Sequence, residues 1–140
     1  MELRSDFEVK WLPRVSDKEV TSVSDVLKMF KSLGKRHQEE FWIVLLTTNN
    51  TVIGKKCINI GTTTSAIVDI QEIARCAILT NAQAILSIHN HPSGDPTPSQ
   101  DDIRLANRLK DALSLFNIRL LDFIIISKDK DYSFASKNML

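Results

Sequence analysis

Two histidines one residue apart close an apolar run, and a turn-rich loop then brings a serine and an aspartate back toward them. Ala84-Ile85-Leu86-Ser87-Ile88 reads as a buried strand, and His89-Asn90-His91 follows without interruption. Side chains alternate along a strand, so positions i and i+2 share a face and stand roughly 6.7 Å apart, close enough to address one ion. The segment Pro92-Ser93-Gly94-Asp95-Pro96-Thr97-Pro98 cannot prolong that strand, because proline lacks the N–H and the other residues favour turns. Ser99 then opens a helix whose first turn holds Asp102. Two imidazoles, a hydroxyl and a carboxylate are thus offered to one metal. His89 and His91 are the candidate nitrogen ligands, and Asp102 is a plausible third, since a catalytic zinc commonly takes three protein donors and keeps a position open for water.

The rest of the chain must bury that strand. With 140 residues and 43% hydrophobic content, it is expected to form about one domain. Net charge is +1 and Lys and Arg are spread out, so binding of nucleic acid through bulk charge is not expected. No window approaches a membrane span, and the first residues, Met1 to Asp6, lack the apolar stretch of a signal peptide; a cytoplasmic protein is expected. Cys57 and Cys76, far apart and without a local partner, are read as small buried hydrophobes in a reducing compartment.

Periodicity gives mixed helix and strand. Phe7, Val9 and Trp11 alternate with charged residues as a short strand. Val26, Leu27, Phe30 and Leu33 predict a helix capped by Ser22 or Ser24 and stopped at Gly34. Phe41 to Leu46 predicts a strand buried on both faces, Thr47 to Thr51 a turn, and Val52 to Ile60 its hairpin partner. Ile70, Ile73, Ala74, Ala77 and Ile78 form a helical stripe ending at Asn81. After Ser99, the positions Ile103, Ala106, Leu109, Leu113 and Phe116 mark a long helix closed by Asn117. Ile118 to Ile126 and Tyr132 to Ala135 are β-prone. The layout is an α/β domain with a mixed central sheet flanked by helices. Residues 1–34 are its N-terminal strand and helix, and 35–140 carry the metal site.

Hydrolysis also needs a general base. Asp95 and Asp101 have no evident constraint on direction. Glu39 and Glu40, at the mouth of the Phe41 strand, are the remaining candidates, and either could lean over a neighbouring strand.

His89-Asn-His91-Pro followed by Ser99-x-x-Asp102 resembles the JAMM metalloprotease signature, H-x-H, seven residues, then S-x-x-D, with a distant glutamate ahead of it. The fuller pattern His-Asn-His-Pro-Ser-Gly-Asp, with Ile118-Arg-Leu-Leu-Asp122 downstream, is similar to the RadC-like branch of that family, over about Glu39 to Ser136. The resemblance implies a cytidine-deaminase-like JAB/MPN fold, three layers of helix, sheet and helix. It also implies zinc as cofactor, His89, His91 and Asp102 as ligands, Glu39 as general base two residues before Phe41, and Ser99 as donor to the developing oxyanion. Alternation agrees in letting only one of the two glutamates face the site. The branch often carries His-Pro-Arg-Glu where this chain has Asp69-Ile-Gln-Glu72, and Asp-His where it has Asp122-Phe123; neither change touches an implied ligand. Longer members carry an N-terminal helix-hairpin-helix-like region that is not read in this chain.

Each element has a plainer meaning. Ser99-x-x-Asp102 is a credible capping pair, a strand His-x-His is often half-exposed alternation, and Glu39-Glu40 is commonly a solvated strand end. His37 reads as a surface residue. The letters His-Asn-His do not make an HNH nuclease, whose named residues are dispersed. Taken jointly, the pattern favours a zinc hydrolase of peptide or isopeptide bonds acting on a protein or peptide. The alternative is a non-catalytic metal-bearing interaction module or a DNA-repair-associated RadC-type protein, with nucleic-acid contact expected only through the family link. Substrate and oligomeric state are not readable from the chain.

Overall fold

The computed structural model describes residues 18–64 and 66–140. The strand expected at Phe7 to Trp11 lies outside these. Five strands form one mixed sheet: β1 (Glu40–Leu46), β2 (Val52–Ile60), β3 (Ala84–Asn90), β4 (Arg119–Ile126) and β5 (Asp131–Ser133), in spatial order β2-β1-β3-β4-β5. β1 pairs antiparallel with both β2 and β3, whereas β3 and β4 run parallel. The β1–β2 turn closes because Asn50 takes a left-handed backbone, φ 60°, which asparagine tolerates better than most residues.

Among the described residues, three α-helices cover the sheet: α1 (Val23–Met29), α2 (Ile70–Leu79) and α3 (Gln100–Ser114). On one face Ile73 and Ala77 of α2 and Leu105, Leu109 and Leu113 of α3 pack on Phe41, Ile43, Ile85, Phe123 and Ile125. On the other, Val26 and Phe30 meet Val44, Leu86, Ile88, Ile124 and Ile126. Successive residues of β1, β3 and β4 thus feed opposite cores, which is why all seven residues of β3 are buried. Each fully buried Ile, Leu or Phe side chain contributes on the order of 1.5–3 kcal/mol. Because β3 and β4 are parallel, α3 must carry the chain back across the sheet, and its N-terminus lies at the carboxyl end of β3.

Several boundaries differ from the sequence reading. α1 stops at Met29, and Leu33–Lys35 forms a separate 3₁₀ turn. Gly34 is not a helix stop: it passes so close to β4 that a Cβ would run into the Ser127 carbonyl oxygen. α3 ends at Ser114, and Asn117 at φ 56° turns the chain into β4; Phe116 therefore falls outside the buried stripe and is half exposed. The expected Tyr132 to Ala135 strand is cut short because Asp122 draws the chain out of sheet register, accepting from Ser133 Oγ at 2.5 Å and the Ala135 N–H at 2.9 Å. Cys57 and Cys76 are free and only partly buried. Burial raises the pKa of both thiols.

Candidate metal centre

His89 is the penultimate residue of the central strand, on the face shared by Ile85 and Phe41, and His91 lies just past the strand end, its N–H held by the Ile126 carbonyl at 2.9 Å. The loop returns at Ser99, the N-cap of α3. Its hydroxyl accepts from the Asp102 N–H at 3.1 Å, while Asp102 Oδ2 accepts from the Ser99 N–H at 2.8 Å and the Ser99 hydroxyl at 2.9 Å. This reciprocal cap is not an alternative to a ligand role, because it aims the same carboxylate at the histidines. Asp102 Oδ1 lies 3.0 Å from His89 Nδ1, and Oδ2 lies 3.2 Å from His91 Nε2. One ligand atom from each of His89, His91 and Asp102 falls within 4.8 Å of the others, so the three could hold a metal ion.

Hydrogen bonding fixes how the three groups face one another. Burial opposes charge on Asp102, but the bonds from His89, His91 and the Ser99 N–H outweigh it and hold the carboxyl well below the usual range. An ionised carboxylate only accepts, so His89 Nδ1 donates to Asp102, and its Nε2 lies on the Glu39 side of the ring. That Nε2 is buried and finds no hydrogen-bond partner among the described residues, as a nitrogen awaiting a cation would be. In His91, Nδ1 donates to the Asp95 carbonyl at 2.9 Å, which orients Nε2 toward Asp102. Burial works against charge on His91, and the bonds to Asp102 and Asp95 override it, so its pKa is raised and a metal bound there would displace a proton. Asp95 is itself kept in an Asx turn by Thr97. Two imidazoles and one carboxylate are the donor set of hydrolytic zinc sites.

Glu39 and Glu40 part company at the start of β1. Glu39 Oε2 lies 3.8 Å from His89 Nε2, and its side chain is 35% exposed, so it borders both the ligands and solvent. Glu40 is buried on the other face, accepting from Arg36 Nη1 at 3.0 Å and Trp42 Nε1 at 2.7 Å. Asp101 pairs with Arg104, and His37 is exposed. Neither joins the cluster.

A family model described as the RadC-like JAB domain matches residues 20–139. The chain belongs to this family. UPF0758 proteins are its similar relatives. That of Clostridium perfringens is 40% identical over 140 residues, 99% of this chain and 60% of its own. That of Coprothermobacter proteolyticus is 41% identical over 112 residues, 80% of this chain and 46% of its own. A Staphylococcus aureus counterpart reaches 45% over 112 residues, 79% and 49% of the respective lengths. The chain spans about half the length of these relatives. The mixed sheet flanked by helices is the α/β architecture expected of a RadC-like JAB domain.

Three contributors escaped the sequence reading. The Thr63 N–H donates to Glu39 Oε2 at 3.0 Å, and the Gly61 N–H to the Glu39 carbonyl at 2.8 Å, so the Gly61 to Thr64 segment, read only as a break, secures the glutamate. Asn90, the spacer between the histidines, is fully buried and hydrogen-bonded to the segment ahead of β1. Asp69 caps α2 by accepting from the Glu72 N–H, so helix initiation there survives the departure from the family pattern. No helix among the described residues is long and apolar enough to cross a membrane.

Proposed function

We propose that this RadC-like JAB domain is a zinc-dependent hydrolase of peptide or isopeptide bonds. The reading is carried by the Glu39 carboxylate, 3.8 Å from His89 Nε2 at the open side of the His89, His91 and Asp102 cluster. His89, His91 and Asp102 would hold zinc, which would supply Lewis acidity and lower the pKa of a bound water toward about 7. Glu39 accepts the water's proton at its carboxylate, whose Oε2 faces His89 and is held in place by the Thr63 N–H. It then returns the proton to the departing amine, so the glutamate leaves the cycle as it began. Ser99 is assigned the hydrogen bond to the developing oxyanion. Its hydroxyl carries one hydrogen, so to serve it must turn away from Asp102 Oδ2, leaving the Ser99 N–H to keep the carboxylate aimed.

The partly exposed Glu39 also admits an incoming carbonyl, which a buried base would not. Near-neutral charge gives no support for a phosphate-backbone substrate. The test incubates zinc-loaded protein and its Glu39→Gln variant with a proteome-derived peptide library and ε-linked isopeptides, reading new termini by mass spectrometry and zinc content in parallel. New termini made by the parent and not by the variant, at equal zinc, are the expected result. Equal zinc with no new termini from either protein would replace the hydrolase by a metal-bearing interaction module.

A further inference from the structure

We infer that Asn90, the residue between the two histidines, is the positioning residue of Glu39, tying the orientation of the base to the strand that carries the ligands. The inference rests on the reading of Glu39 as base. Alternation along β3 sends Asn90 to the face opposite His89, where it is 0% exposed. There its Oδ1 accepts from the Glu40 N–H at 2.6 Å, and its Nδ2 donates to the Gln38 carbonyl at 2.9 Å and the Leu33 carbonyl at 3.3 Å. The Gln38 carbonyl and the Glu40 N–H belong to the two peptide planes that flank the Glu39 Cα. Holding both planes sets φ and ψ of Glu39, the only soft backbone torsions it has.

The opposite side is secured independently. The Gly61 N–H bonds the Glu39 carbonyl, and the Thr63 N–H bonds its carboxylate. Asn90 is suited to its side of the clamp by having a donor and an acceptor on one short planar group. Aspartate offers no donor for Gln38 and Leu33, and serine is too short to span both planes. A metal ligand pair and a proton acceptor must keep their relative placement to within about 0.5 Å. One side chain rooted between His89 and His91 meets that need without touching either substrate or metal. It contacts no reacting atom, so it reaches the chemistry through the placement of Glu39.

The test compares the zinc-loaded protein with Asn90→Ala and, should that variant fail to fold, Asn90→Ser. Amide hydrogen exchange is read at Glu40, Thr63 and the β3 core. The expected result is exchange at least about ten-fold faster at Glu40 and Thr63, with zinc still bound and Ile85 to Ile88 unchanged. The Thr63 amide is decisive, because it is protected by the Glu39 carboxylate and makes no bond to Asn90. Parent-like exchange at Thr63, or acceleration spread evenly through β3 with loss of zinc, would overturn the inference. Wherever a cleaved peptide has been found, kcat falls about ten- to hundred-fold with KM little changed. Glu39→Gln keeps Thr63 protected. Hydrolysis retained by Glu39→Gln sinks the base reading, whereas the Thr63 exchange rate judges Asn90 by itself.

Discussion

Oε2 of Glu39 lies 3.8 Å from Nε2 of His89, although one residue precedes β1 and the other lies near the end of β3, far apart in sequence. They meet because Phe41 of β1 stands opposite His89 of β3, and alternation carries Glu39, two residues earlier, onto the same face. Glu39 is near enough to serve chemistry at the ligands and is not part of the closest cluster itself.

Zinc binding should therefore not depend on Glu39. With free zinc at a hundred times its dissociation constant, the folded state should gain about 2.7 kcal/mol. Thermal unfolding with zinc and with chelator should show the same shift in parent and Glu39→Gln protein. Loss of the shift in the variant would make Glu39 a ligand.

Asp102 belongs both to the candidate metal cluster and to the helix cap. Asp102→Ala should weaken zinc binding at least about 100-fold and cost the metal-free protein about 1–2 kcal/mol, because the Ser99 cap loses its reciprocal partner. Zinc titration and urea unfolding of the chelated protein separate the two effects. Stoichiometric tight zinc in the variant would remove Asp102 from the ligand set.

Asp122 provides a contrasting carboxylate. It is buried and accepts from the Phe123 N–H, Ser133 Oγ and the Ala135 N–H, holding β5 and the chain after it against β4. Asp122→Ala leaves those donors without their acceptor and should cost about 3 kcal/mol while zinc affinity stays at the parent value. An equal loss of zinc binding would show that the two ends of the sheet are coupled.

Gly34 tests packing rather than polarity. Its close approach to the Ser127 carbonyl and to Ile126 Cγ2, 3.1 Å from where a Cβ would stand, leaves no room for a methyl group. Gly34→Ala should destabilise the fold by about 1–3 kcal/mol in denaturant unfolding. A neutral or stabilising effect would mean that the 3₁₀ turn slides away from β4 at little cost.

Much of the centre could be read along the chain because its parts are local. His89 and His91 share one strand end, and Ser99 and Asp102 share one helix turn. Spacing alone therefore brings each pair together, and the proline-rich loop requires the pairs to meet. The helix periods of α2 and α3 were equally plain, since a stripe at 3.6-residue spacing reflects one buried face. α1 was overextended because Leu33 continues the stripe, although Gly34 is recruited by β4 instead.

Sequence by itself determined the candidate ligand types, their order and the alternation that separates Glu39 from Glu40. Tertiary structure decided that β1 lies beside β3, and so that Glu39 faces the His89, His91 and Asp102 cluster at all. It alone decided the clamp on Glu39. Asn90 between two histidines carries no sign of its partners at Leu33, Gln38 and Glu40. The Thr63 contribution comes from a backbone N–H that any residue but proline possesses. Such long-range backbone bonds leave no residue pattern, because what they require is proximity and not a particular side chain.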